Sequence, residues 1–134
     1  MARTDTFHCS VITPGRPVLE CEATALVFPA HDGEMGILRD RAPITCKLGI
    51  GALRVEATDK THTFFIDRGF AQVVDNKVTI LTEQAKRPEE IDADAARTAL
   101  DAAHEMKITD DASFVARSDA IRRAEKQIAM TRGA

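Results

Sequence analysis

His31, Asp32 and Glu34 have side chains able in principle to bind a metal or to supply an acid and a base, and all three fall in the run FPAHDGEMGILRDRAPI, residues 28–44. Adjacent loop positions send their side chains in different directions, and this spacing matches no metal-ligand pattern. The Asp32-Gly33 pair has a simpler explanation as a chain reversal, because glycine reaches positive φ without a Cβ clash. His8 and His62 fall in alternating, strand-like stretches and His104 in a helix-like one, where a solvated or hydrogen-bonded structural role is the default. Gly49 and Gly51 flank Ile50, but no helix follows to make a phosphate cradle, so they predict a bulge, a bend or a close backbone approach. No Ser-His-Asp set, nucleophile elbow or Walker motif can be drawn. The expectation is a chain with no metal site and no active site of its own, acting through surfaces.

The elements that would position those surfaces change character along the chain. Phe7, Cys9 and Val11 alternate with polar residues, Thr13-Pro14-Gly15-Arg16-Pro17 turns, and residues 18–28 make one or two further extended pieces. Pro29 and Pro43 lack the N–H that a central strand needs, which predicts a long irregular excursion between them, strand-like only at Gly36, Ile37 and Leu38. Leu53 and Val55, then His62, Phe64 and Ile66, alternate on either side of a Thr58-Asp59-Lys60 turn, and Asp75-Asn76-Lys77 reverses the chain into residues 78–82. Many short strands joined by turns predict an antiparallel β-sandwich or flattened barrel over residues 1–86.

After Leu81, β-branched and aromatic residues give way to alanine and charge. Pro88 stops the extended chain, Asp92 is placed to N-cap a helix, and Ile91, Ala95, Ala99, Ala102 and Met106 recur at helical spacing. Thr109, Asp110 and Asp111 interrupt it and cap a second helix, in which Phe114, Ile121, Ala124 and Ile128 share a side. Residues 87–134 are therefore expected to form an antiparallel two-helix hairpin. At about 25 cal/mol per Å² of apolar surface buried, alanine stripes stabilise such a hairpin little. It is expected to dock on the sandwich or a partner, and to be able to leave. Arg122, Arg123 and Lys126, late in the second helix where the helix dipole favours cations, are expected to present one basic face.

A chain of 134 residues with 44% apolar content holds one domain, or one domain with an appendage. The net charge of -3 and the lack of Trp and Tyr argue against a nucleic-acid partner. Cys9, Cys21 and Cys46 lack CxxC spacing and fit small core residues in a reducing compartment. No signal peptide or spanning segment is read in the sequence, so membrane association is expected only through a protein partner.

The order Asp32-Gly33-Glu34-Met35-Gly36-Ile37, then Arg41-Ala42-Pro43-Ile44, then residues 66–74 (IDRGFAQVV) and 78–82 (VTILT), resembles the epsilon subunit of F-type ATP synthases over nearly the whole chain. The resemblance implies a non-catalytic central-stalk subunit of a proton- or ion-translocating synthase, peripheral to the cytoplasmic face of the inner (plasma) membrane. Its partners would be the gamma subunit, the membrane ring of c subunits and, through the C-terminal helices, the alpha and beta subunits of the catalytic head, whose ATP hydrolysis it would inhibit. Gly33, Glu34, Met35 and Gly36 would meet the ring, and Arg41 and Pro43 the gamma subunit or stalk. Some bacterial members bind ATP through an Ile/Leu-Asp-x-x-Arg-Ala motif; here Ile91-Asp92 is followed by arginine only at Arg97, while Asp94 restores the spacing to Arg97 without the flanking residues. Arg41 stands where histidine is common, and Arg68 replaces the first of a glycine pair. The alternative function is a free-standing β-domain that binds a small molecule or nucleotide.

Overall fold

The computed structural model describes residues 6–30, 33–38 and 43–132. His31, Asp32, Asp40 and Arg41 lie outside the described residues. Seven strands come first: β1 (Phe7–Thr13), β2 (Arg16–Ala30), β3 (Gly33–Leu38), β4 (Ile44–Ala57), β5 (Thr61–Val74), β6 (Lys77–Thr82) and the short β7 (Ala85–Lys86). A 3-10 turn at Pro88–Glu90 leads to α1 (Ala93–His104) and α2 (Asp111–Arg132). The strand order is β1-β6-β5-β4-β2-β3, with β7 on β5, and a further β1–β2 pairing closes the sheet into a flattened barrel. Closure explains one departure from the all-antiparallel expectation. The ring β1-β2-β4-β5-β6 has an odd number of strands, so directions cannot alternate all the way round, and β1 runs parallel to β6 with Cys9 opposite Val78.

The long strands β4 and β5 serve both layers by changing phase part-way. On β4, Leu48 points into the core and so do Leu53 and Val55, two positions of opposite parity; on β5 the core residues switch from Phe64 and Ile66 to Ala71 and Val73. A period-two strand can do this only by slipping one residue. On β5 the slip falls at Arg68 (φ 58°) and Gly69 (φ 125°), which sits opposite Leu48. On β4 it falls beside Gly49 and Gly51, where β2 crosses closely: a Cβ on Gly49 would lie 2.9 Å from the Ala30 carbonyl oxygen. The close approach expected at these glycines is therefore present. Across the bend, one cluster of Phe7, Phe28, Leu53, Phe64, Ile66, Ile80 and their neighbours fills the interior.

Pro29 does not end its strand. It lies within β2 opposite Glu34, and β2 and β3 pair from Ala25↔Leu38 to Ala30↔Gly33. Much of the expected irregular excursion is thus an edge hairpin, which tolerates a proline because β3 leaves few ladder bonds to lose. The 75–76 reversal is a two-residue hairpin with φ of 52° and 58°, the positive pair that matches strand twist, between Val74 and Lys77.

His62 is nearly buried, with the Arg87 guanidinium 3.5 Å from its Nδ1, while the same guanidinium stacks 4.7 Å over the Phe64 ring. Burial, then the charges of Arg87 and Lys60, push the His62 pKa below its ordinary value of 6.5. The unfolded chain binds that proton more readily, so stability is full above about pH 6.5 and is lost as pH falls below it. Thermal unfolding followed from pH 7.5 to 5 is expected to show a shallower loss for His62→Gln than for the parent chain.

Both helices are present; the buried face of α1 is not the one expected, and that of α2 is the expected one apart from Phe114. On α1 the buried residues are Ala96 and Ala103, with Leu100 half-buried between them, whereas Ala95, Ala99, Ala102 and Met106 are exposed. Alanines occupy two neighbouring stripes, and docking selects the one that contains leucine, which buries more apolar area. On α2, Ile121, Ala124 and Ile128 face inward, but Phe114 is 54% exposed near the hairpin's tip. The Asp92 carboxylate caps α1 by accepting from the Asp94 and Ala95 amides at 3.0 and 3.1 Å. Asp110 and Ser113 cap α2 reciprocally: the Ser113 amide donates to Asp110 Oδ1 at 2.8 Å, and the Asp110 amide to Ser113 Oγ at 3.0 Å.

Candidate functional site

The acidic tip is built by the β2–β3 hairpin. Gly33, Glu34 and Gly36 are exposed, and Glu34 has no partner among the described residues. Met35 is half-buried and packs against the core, where its sulfur accepts the Cys46 thiol at 3.5 Å. Of the four residues in this run, Met35 thus turns away from the surface. Pro43 is exposed just before β4, and Arg41 lies outside the described residues.

The pattern at the start of α1 is accounted for locally. Asp92 is engaged as the helix cap, Ile91 is half-buried, and Arg97 pairs with Asp94 at 3.0 Å on an exposed surface. Arg97 also borders a cleft of about 470 Å³ between the helices, shared with Asp101, Glu125 and Arg132. Two carboxylates beside two guanidiniums give that cleft little net preference for an anion.

The three basic residues of α2 do not share one face. Arg122 and Lys126, one turn apart, are exposed and line a cleft of about 730 Å³ together with Pro29, Glu34, Ile50 and Ala52. Arg123, about 100° round the helix from Arg122, points to the sandwich instead. Its Nε donates to Asp67 Oδ2 at 2.6 Å and its Nη2 lies 3.4 Å from Oδ1. Arg68 Nε donates to the same Oδ1 at 3.0 Å, so one nearly buried carboxylate takes two guanidiniums. The Thr82 hydroxyl lies 2.6 Å from the Arg68 carbonyl and 3.3 Å from the Asp67 amide, fixing the bend from below. Arg68, an unusual residue for a left-handed φ, is held there from both ends. Beside this clasp Ile50 and Phe65 are buried outside the main core, where α2 lies across β4 and β5.

A further surface went unread in the sequence. Ile12 on β1, Leu81 on β6 and Phe70 on β5 pair in a row across three strands, pointing outward. Phe70 is 53% and Leu81 46% exposed, and the row borders a hollow of about 320 Å³. The signal was available: once the phase slips at Arg68 and Gly69, Ala71 and Val73 face in and Phe70 must face out. An exposed apolar row of this kind is the type of surface on which proteins dock.

Residues 6–88 match the family model for the β-sandwich domain of the ATP synthase delta/epsilon chain. The chain belongs to this family. An ATP synthase epsilon chain of Nitratidesulfovibrio vulgaris is 42% identical over 100 residues, covering 75% of each chain, and that of Rhodopirellula baltica is 36% identical over 127 residues, covering 95% of this chain and 99% of the relative. Among solved structures, a chain in the OSCP/F1/c-ring assembly of Euglena gracilis mitochondrial ATP synthase superposes with a TM-score of 0.83 at 26% identity over 96% of this chain and 83% of its own. A chain of the Tetrahymena thermophila central stalk and c-ring shares the fold, with a TM-score of 0.76 over 97% of this chain and 99% of its own at 14% identity. As an epsilon chain this is an accessory, non-catalytic subunit of the ATP synthase central stalk, in a membrane-associated complex. Among the described residues no helix is long and apolar enough to cross a membrane.

Proposed function

We propose that this epsilon chain is a rotor subunit that links the gamma subunit to the membrane ring at the cytoplasmic face, and that its helical hairpin brakes ATP hydrolysis by the catalytic head. The observation that carries the linking role is the outward row of Ile12, Leu81 and Phe70 on a closed, rigid barrel. Such a surface supports docking of gamma, while the exposed Glu34 on the β2–β3 tip offers a carboxylate to basic loops of the ring. Exposed ion pairs contribute only about 0 to 1 kcal/mol, so the apolar row carries most of the binding and Glu34 tunes coupling. The braking role rests on how the hairpin is held. Only Ala124 and Ile128 of α2 are buried, so the docked state lies within reach of a partner. The alternative of a free-standing nucleotide-binding domain is disfavoured because Asp94 and Arg97 pair with each other on an exposed surface and residues 6–88 match the delta/epsilon chain family.

Co-expression with the cognate gamma subunit tests this assignment. A one-to-one complex, with no ATP turnover by the isolated pair, is expected. Failure of the two chains to co-purify would remove the linking role.

A further inference from the structure

Arg123 cannot rest on the sandwich and reach a partner of the released hairpin at once. In the docked hairpin its guanidinium is spent on Asp67, with Nε and Oδ2 2.6 Å apart, while Arg122 and Lys126 stay solvent-facing. Asp67 lies on the sandwich, 56 residues away in sequence, so the contact exists only when α2 lies against β4 and β5. Asp67 is 8% exposed, and its carboxylate is also held by Arg68 from within the sandwich. A bidentate guanidinium–carboxylate pair that is partly shielded from water is directional and stronger than an exposed pair. The apolar contact under α2, centred on Ile50 and Phe65, lacks the directionality of this pair.

We propose that Asp67 is an internal competitor for Arg123: it latches the hairpin onto the sandwich by occupying the guanidinium that the released hairpin would offer to an acidic surface of a partner. The latch rests for its regulatory meaning on the braking role proposed above, and for its existence on the docked geometry alone. Docking and braking then exclude each other through one side chain. Asp67→Asn frees the hairpin with its basic residues intact, whereas Arg123→Gln frees it and removes part of its grip on the partner. The two variants break the same contact and are expected to have opposite effects.

Hydrogen exchange on the isolated full chain tests the latch. Both variants are expected to speed exchange of α2 amides about tenfold or more, while amides of β5 and β6 keep parental rates. Unchanged α2 exchange in Arg123→Gln would overturn the latch, as would an equal rise in α2 and the strands. Arg123→Gln alters no sandwich residue, so it decides the matter even if Asp67→Asn folds poorly. In the assembled synthase, Asp67→Asn is expected to lower hydrolysis below the parental rate and Arg123→Gln to leave it at or above that rate. Shifts of both in the same direction would overturn the competition. If deleting the hairpin leaves hydrolysis unchanged, the braking role falls and the exchange rates alone decide the latch.

Discussion

Replacing Phe70 and Leu81 together by aspartate is expected to abolish co-purification with the gamma subunit while leaving the barrel folded. Both side chains are about half exposed, so the free subunit loses little by their removal. In a complex they would lie at the centre of the docked face, where burying two unpaired carboxylates costs several kcal/mol and each 1.4 kcal/mol is tenfold in affinity. Binding is expected to fall by at least about a hundredfold in a titration against gamma. Thermal unfolding of the double variant should stay cooperative and fall only modestly, the two new carboxylates facing each other across β5 and β6. Retained binding would place the gamma contact elsewhere, with Pro43 the next surface to test.

Gly69→Ala should have the opposite profile, striking the fold before any partner. Its φ of 125° is open to glycine and strained for alanine, and the added Cβ would collide with the Leu81 carbonyl and come within 2.8 Å of the Thr82 Cα. Both neighbours are backbone atoms of β6, so relief requires prising β5 from β6 beside the Asp67 clasp. A loss of about 3 kcal/mol or more is expected from total stabilities of about 5–15 kcal/mol, read as a fall of roughly 10 °C in Tm. A melting temperature within about 2 °C of the parent would show that the bend is not rigid.

What could be read from the sequence follows from how local each cause is. Alternation in β1, the Asp75-Asn76 reversal and the Asp92 cap depend on neighbours a few residues apart, and each was legible. The two layers served by β4 and β5 depend on a one-residue slip that period-two patterns cannot locate. The continuous apolar run Phe64-Phe65-Ile66 was the clue that this part of β5 is buried on both faces, inside by the core and outside beneath α2. The alanine stripes of α1 were degenerate until docking chose Ala96 and Ala103. Pairing of Asp67 with Arg123 depends on the tertiary arrangement alone, and nothing in either residue's surroundings in sequence announces it. Of the expected surfaces, the acidic tip keeps Glu34 but turns Met35 inward, and the basic face divides between an exposed pair and a latched arginine.

Ending the chain after Arg87 in the assembled synthase, with hydrolysis and synthesis measured side by side, tests the central claim most directly. The cut keeps β7 and the Arg87–Phe64 stack and removes only the helices lying outside the closed barrel. The barrel's main cluster needs no helical residue, so assembly with gamma and the ring should survive. Hydrolysis is expected to rise, by about tenfold if the braked state is favoured by about 1.4 kcal/mol, with synthesis largely kept. Unchanged hydrolysis at low and at high salt would contradict the brake, and lost assembly would contradict the division of labour between barrel and hairpin.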